Sequence, residues 1–157
     1  MIKIVSGGQT GVDRAALDAA LELNIECGGW CPKGRLAEDG VIDTRYPLQE
    51  MVQTGYSQRT RRNVLDSDAT LIIYDGELEG GTRETLNFCR KHDKPCCLID
   101  LATQGLDQAI PHIQSFITQY KVGTLNVAGP RASKQPTIYT RARRLVNELL
   151  LVSMREE

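Results

Sequence analysis

The chain has 157 residues and a formal net charge of −1, with 41% hydrophobic and 25% charged residues. A chain of this length can bury a core without disulfides or metals, and its composition excludes disordered, collagen-like and coiled-coil proteins. The balanced charge is not that of a nucleic-acid-binding or membrane-surface protein, since both usually carry excess positive charge. We therefore predict one ligand-binding domain over residues 1–157, with no nucleic acid and no membrane among its partners.

The N-terminus and the cysteines indicate a compartment. Residues 1–5 lead directly into a glycine pair without a cleavable signal, and no apolar run approaches the roughly 18–20 residues of a membrane span. We expect a cytoplasmic protein whose five cysteines are reduced. Because Cys27 and Cys31 lack a second ligand pair at zinc-binding spacing, we predict no metal site.

Short apolar runs rich in β-branched residues alternate with longer amphipathic segments. The runs, which we predict to be strands, are residues 2–5, 25–30, 70–74, 96–99 and 124–127. Their continuous apolar character is typical of strands covered on both faces. The alternation with helices predicts a Rossmann-like three-layer α/β domain, with a mostly parallel central sheet of about five strands.

Apolar residues at helical spacing mark the connections between these strands. The first helix is predicted over residues 10–23, with Thr10 and Asp13 as a capping pair. Further helices are predicted near residues 57–66 and 82–92, and from Pro111 and Pro136 onward, because proline suits a first helical position. Residues 32–55 show no period, so we predict an irregular excursion there.

Three glycine-bearing segments follow predicted strands, where parallel α/β sheets bind ligands. Glycine lets a backbone approach phosphate closely, and the N–H groups of a following helix favour an anion. None of the segments matches the dinucleotide or P-loop fingerprint, and each alone is equally a tight turn or an N-cap, so the argument rests on their convergence. The predicted residues of these phosphate-binding loops are Gly7, Gly8, Gln9, Thr10, Gly11, Gly80, Gly81, Thr82 and Gly129.

Arginines near these loops are candidates for neutralising a phosphate. We select Arg59, before the third strand, and Arg131, in the third loop, because a guanidinium can hold phosphate through two hydrogen bonds. We interpret Arg61, Arg62 and Arg83 as solvated helix charges.

Charge is distributed unevenly along the chain. No Asp or Glu occurs between Gln108 and Asn147, a span with six basic residues. Such a region is typical of a surface for an anionic ligand or partner. Trp30, at a strand end, is either a stacking platform for a flat ring or a packing residue.

Several segments, in order, read SGGQTGVD at 6–13, GWCPKGR at 29–35, SDA at 67–69, GGT at 80–82 and LNVAGPR at 125–131, with Arg59 and Asn63 between them. Over nearly the whole chain, these segments resemble the molybdenum cofactor carrier family. The resemblance implies a Rossmann-type fold, a homo-oligomer, and non-catalytic binding of molybdenum cofactor (molybdopterin). It also implies molybdoenzymes or cofactor-synthesis proteins as partners.

The wider superfamily includes lysine-decarboxylase-like phosphoribohydrolases that activate cytokinins. In those enzymes an arginine and the glutamate of a Gly-Gly-x-Gly-Thr-x-x-Glu loop act in N-glycosidic cleavage, and the resemblance implies Arg59 as that arginine. Thr85 stands where the glutamate is expected, and threonine is not a charged acid or base at neutral pH. We therefore expect no catalytic residue. The alternatives are a sensor of a nucleotide-like ligand, or a nucleoside-monophosphate phosphoribohydrolase that uses Arg59 and Glu84.

Overall fold

The computed structural model describes residues 2–157. The elements follow in the order β1 (Lys3–Val5), α1 (Val12–Glu22), β2 (Cys27–Gly28), β3 (Trp30–Cys31), β4 (Leu36–Ala37), β5 (Gly40–Val41), β6 (Gln49–Glu50), α2 (Tyr56–Leu65), β7 (Ala69–Tyr74), α3 (Gly80–Lys91), β8 (Cys96–Asp100), α4 (Leu106–Tyr120), β9 (Thr124–Ala128) and α5 (Ile138–Arg155).

A five-stranded parallel sheet forms the centre of the fold, in the order β2-β1-β9-β7-β8. Helix α5 packs against both α1 and α4, and α2 packs on α3. The large core cluster contains alternate residues of the strands, such as Leu71 and Ile73, against buried residues of α1, α4 and α5. The predicted Rossmann-like α/β fold is confirmed. The C-terminal strand β9 lies between β1 and β7, which brings the carboxyl ends of these three strands side by side.

The second predicted strand, residues 25–30, is wrong as a single element. Gly29 adopts φ 128°, and a Cβ there would overlap the carbonyl of Ser6. The chain therefore bends at Gly29, so that β2 joins the central sheet while β3 pairs in parallel with β6. The amide of Asn63 fixes the bend, since it accepts the Trp30 N–H at 2.8 Å and donates to the Trp30 carbonyl at 2.9 Å.

The aperiodic segment 32–55 has little regular structure, with a minimal antiparallel hairpin of β4 and β5 and the single strand β6. Arg35 organises it by donating to four backbone carbonyls, those of Ile42, Asp43, Tyr46 and Leu48. The apolar side chains of the segment then form a second small core against α1, with Ile42, Tyr46 and Leu48 packed beside Leu17 and Cys31.

The helix starts differ from their prediction in four places, one of which is α5, since it begins at Ile138 rather than at Pro136. Gly11 precedes α1 with no side-chain cap, so Thr10 is not the N-cap. Helix α3 begins at Gly80 rather than Thr82. Pro111 lies inside α4, which begins at Leu106, because the buried face of this helix extends to both sides of the proline and outweighs one lost hydrogen bond. A membrane span would need a longer apolar helix than any formed by residues 2–157.

Candidate functional site

A cavity of about 360 Å³ lies at the carboxyl ends of β1, β9 and β7. This volume is within the range of about 300–1,000 Å³ that is usual for small-molecule sites. All three glycine-bearing loops reach it. The predicted residues that line the cavity are Gly7, Gln9, Arg59, Gly80, Gly81, Thr82, Gly129 and Arg131.

The other three predicted residues, Gly8, Thr10 and Gly11, do not line the cavity. They shape the first loop instead. Gly11 adopts φ 80°, and a Cβ there would overlap the carbonyl of Pro130, which belongs to the third loop. The Thr10 hydroxyl donates to the carboxylate of Glu38. These residues hold the first loop against its neighbours.

Two kinds of glycine line the cavity. Gly7 is required by the protein itself, because a Cβ at this position would overlap Nη1 of Arg59. At Gly81, in contrast, a Cβ would meet no atom within 4 Å, and the backbone has no positive φ. A glycine inside a helix costs about 0.5–1 kcal/mol relative to alanine. The packing of the chain therefore gives no reason for glycine at Gly81, on the cavity side of the first turn of α3.

Arg59 and Asp13 form a buried ion pair in the cavity wall. Arg59 Nη1 lies 3.1 Å from Asp13 Oδ2, and the two residues are only 8% and 6% exposed. The same carboxylate oxygen accepts the N–H of Gln9 at 3.3 Å. Burial raises the pKa of the Asp13 carboxyl, although Arg59 and the Gln9 N–H act in the opposite direction. Arg59 Nε is buried without a hydrogen-bond partner among the described residues.

Arg131 lines the cavity and also forms an ion pair with Glu38, a residue that the sequence analysis missed. Its Nε lies 3.5 Å from Glu38 Oε2, while the Glu38 carboxylate also accepts hydrogen bonds from the N–H and hydroxyl of Ser133 and from Thr10. These hydrogen bonds and Arg131 lower the pKa of Glu38. Glu38 belongs to the aperiodic segment, so no sequence pattern indicated that it joins the first and third loops.

Trp30 does not line the cavity. Its indole N–H donates to Asp66 at 2.8 Å, and the Arg62 guanidinium lies over its ring at 4.5 Å. The packing interpretation of Trp30 is therefore the one the geometry supports. The aromatic residue in the cavity wall is Tyr56, which the sequence analysis did not select.

Acidic residues from other parts of the chain offset part of the positive charge between Gln108 and Asn147. Arg141 pairs with Asp75, and Arg143 Nη2 lies 3.0 Å from Glu22 Oε2. The cavity wall contains three glutamates from the region of the α3 N-terminus, Glu77, Glu79 and Glu84, as well as Lys134 from the basic span. Within residues 2–157, no three His, Cys, Asp or Glu residues are grouped so that they could hold a metal ion.

The model of the circularly permutated YpsA SLOG family matches residues 4–150. The chain belongs to this family. A crystal structure of the "putative molybdenum carrier protein" from Syntrophus aciditrophicus SB is 49% identical to the chain, with a TM-score of 0.94 over 96% of this chain and 95% of that one. A comparison with curated proteins finds no match. The family resemblance found in the sequence is thereby confirmed.

In this YpsA SLOG chain, the position at which a phosphoribohydrolase glutamate was expected is occupied by a helix-bound threonine. Thr85 is buried, and its hydroxyl donates to the Gly81 carbonyl at 2.9 Å. The Thr85 hydroxyl is therefore hydrogen-bonded within the first turns of α3. Glu84, one position earlier, lines the cavity instead. An acidic residue is thus present in the same cavity wall as Arg59, at a different place in the sequence.

Proposed function

We propose that the chain is a non-catalytic binding protein for a phosphate-bearing small molecule, and that this molecule is molybdenum cofactor. The observation that carries the proposal is that the Arg59 side chain lines the same cavity as the open first turn of α3. A guanidinium in a cavity wall can donate charge-assisted hydrogen bonds to an anion in the cavity.

The first turn of α3 offers the second half of a phosphate site. The first N–H groups of a helix have no intrahelical acceptor, and the helix dipole favours negative charge there. No side chain caps α3. The absence of side chains at Gly80 and Gly81 would let a phosphate oxygen approach these N–H groups closely. Arg59, from α2, would donate hydrogen bonds to the phosphate.

The choice of molybdenum cofactor is supported by the similar protein from Syntrophus aciditrophicus SB, which is described as a molybdenum carrier. The cofactor would be cargo, held through its phosphate and its pterin. We further propose, from the family resemblance, that the protein works as a homo-oligomer and delivers to molybdoenzymes or accepts from cofactor-synthesis proteins.

Thermal melting in the presence of candidate ligands tests this function. Molybdenum cofactor, pterin phosphates and nucleotides are compared, and a ligand at 100 times its Kd should stabilise the fold by about 2.7 kcal/mol. We expect a rise in Tm with molybdenum cofactor, and no rise when Gly81→Val fills the open first turn of α3. An unchanged Tm with the cofactor would contradict the assignment, and a rise with nucleotides alone would favour the nucleotide sensor.

A second candidate function, nucleoside-monophosphate hydrolysis, is favoured by the position of Glu84 in the same cavity wall as Arg59. A carboxyl group near the N-glycosidic bond could serve as an acid or base. Incubation with AMP should then release free adenine, and Glu84→Gln should abolish the release. Absence of free base with every monophosphate would exclude this candidate.

A further inference from the structure

One aromatic side chain, Tyr56, lies in the cavity wall formed by the described residues. It occupies the first turn of α2 and is 49% exposed, whereas Tyr46 in the second core is 2% exposed. An aromatic ring left in water at the mouth of a cavity contributes little to the packing of the fold, and it is typical of a surface that meets a ligand.

Three other aromatic residues that contact arginines also donate a side-chain hydrogen bond to an aspartate of the protein. The hydroxyls of Tyr46 and Tyr139 both donate to Asp18, and the indole of Trp30 donates to Asp66. The hydroxyl of Tyr56 has no hydrogen-bond partner within residues 2–157. Tyr56 therefore lacks the side-chain hydrogen bond that fixes the other rings.

Tyr56 and Arg59 are three positions apart on α2 and share one face of the helix. The carbon of the Arg59 guanidinium lies 5.7 Å from the centroid of the Tyr56 ring. Arg59 is itself fixed by the buried ion pair with Asp13. A ligand whose phosphate contacts Arg59 would therefore have the group next to that phosphate within reach of the Tyr56 ring.

We propose that Tyr56 stacks on a flat heteroaromatic ring of the ligand, so that the cavity selects ring-bearing phosphates over sugar phosphates. This inference rests on the proposed function, because it takes the phosphate to be held by Arg59 and the first turn of α3. Stacking on an aromatic face is tolerant of ring identity. A pterin phosphate and a nucleoside monophosphate share this chemistry, and the experiment compares them directly.

Calorimetric titration tests the proposal with four ligands: GMP, AMP, 6-hydroxymethylpterin diphosphate and ribose 5-phosphate. We expect wild-type protein to bind at least one of the three ring-bearing phosphates more tightly than ribose 5-phosphate. The ring-bearing phosphate that binds most tightly indicates whether the ligand is a pterin phosphate or a nucleoside monophosphate. Tyr56→Ala should weaken that binding by about 5- to 150-fold, the range expected for loss of one stacked aromatic ring.

Three controls separate stacking from other effects. Tyr56→Phe keeps the ring and should keep the affinity. Tyr56→Ala should leave the affinity for ribose 5-phosphate unchanged. Tyr120→Ala removes a tyrosine of similar exposure, 47%, from α4 outside the cavity and should change no affinity. Because Tyr56 is 49% exposed and its hydroxyl bonds to no described residue, its alanine variant should keep a Tm close to that of the wild type.

The possible failures are distinguishable. If ribose 5-phosphate binds as tightly as every ring-bearing phosphate, or if Tyr56→Ala weakens all four ligands equally, the stacking role is wrong and the proposed phosphate site stands. If none of the four ligands binds to the wild-type protein, the phosphate site itself fails, and the inference about Tyr56 fails with it.

Discussion

Arg59 on α2 and Asp13 on α1 meet in the cavity wall, with Nη1 of the arginine 3.1 Å from Oδ2 of the aspartate and both side chains buried. The pair joins two helices that belong to different layers of the fold. It also holds the guanidinium in place before any ligand arrives, which reduces the ordering that binding requires.

Removal of Arg59 should destabilise the protein strongly. Arg59→Met leaves the Asp13 carboxylate buried without its partner, and breaking a buried pair in this way costs about 3–5 kcal/mol. Arg61→Met, an exposed change on the same helix, should alter the free energy of unfolding by less than about 0.5 kcal/mol. Urea denaturation measures both variants, and equal losses would contradict the structural importance of the pair.

The loss caused by Arg59→Met should depend on pH. Burial raises the pKa of Asp13, and the variant removes the arginine that opposes this rise. A carboxyl whose pKa is higher in the folded than in the unfolded state destabilises the fold above its folded pKa, and the penalty falls as pH falls through that value. Urea denaturation should therefore show a larger loss in mildly alkaline than in mildly acidic buffer. A loss independent of pH would indicate that Asp13 is not the cause.

Gly81 offers a test in which stability and binding change in opposite directions. Gly81→Ala places a methyl group in open space inside α3 and should stabilise the ligand-free protein by about 0.5–1 kcal/mol. The same methyl group lies where the proposed phosphate approaches the backbone, so ligand affinity should fall. Thermal melting with and without ligand measures both effects. A stabilised variant with undiminished binding would place the phosphate elsewhere.

Glu38 should stabilise the contact between the first and third loops in a pH-dependent manner. Hydrogen bonds from Ser133 and Thr10 hold the pKa of Glu38 below its ordinary value of 4.5. A carboxyl with a lowered folded pKa stabilises the fold above the unfolded pKa, and this contribution is lost as pH falls through the folded pKa. Wild type should therefore be more stable than Glu38→Gln at neutral pH, with the difference shrinking below pH 4.5. A difference that persists unchanged in acid would contradict the charge-dependent role.

Arg35 should control the order of the aperiodic segment. Arg35→Met removes the donors of four backbone carbonyls, and a lost charged hydrogen bond with an unsatisfied partner costs about 1–3 kcal/mol. We expect hydrogen exchange in residues 36–50 to accelerate while the central sheet keeps its protection. Lys33→Met, an exposed change two positions earlier, serves as the control and should leave the exchange unchanged. Uniform acceleration across the chain would show that the segment does not open independently.

The fold and the meeting point of the loops could be predicted from sequence because both follow from repeating local patterns. Apolar runs between amphipathic segments indicate a parallel sheet, and parallel strands place their following loops at one edge. These patterns predict that Gly7, Gly81 and Gly129 lie at one edge of the sheet, and all three line the cavity. Arg59 was selected for its chemistry, because a guanidinium can hold phosphate through two hydrogen bonds.

The partners of individual side chains could not be predicted in the same way, because they depend on contacts between distant parts of the chain. The carboxylate of Glu38 contacts Ser133, which is 95 positions away in the sequence. The basic span from Gln108 to Asn147 was interpreted as a surface for an anion because acidic partners of its arginines, such as Asp75 and Glu22, lie outside that span. The sequence gives only a weak indication of Tyr56, namely an aromatic residue one helical turn before Arg59. The cavity lining is what identifies Tyr56 as a candidate ligand contact.

Mass spectrometry of small molecules released from the native protein tests the central claim most directly. The protein is purified from a host that makes molybdenum cofactor, side by side with Gly81→Val prepared in the same way. We predict that the wild-type protein releases a phosphate-bearing pterin in stoichiometric amount and that the variant releases none. A wild-type protein that releases no phosphate-bearing molecule, or equal release from the two proteins, would contradict the account of the cavity as a phosphate-binding carrier site.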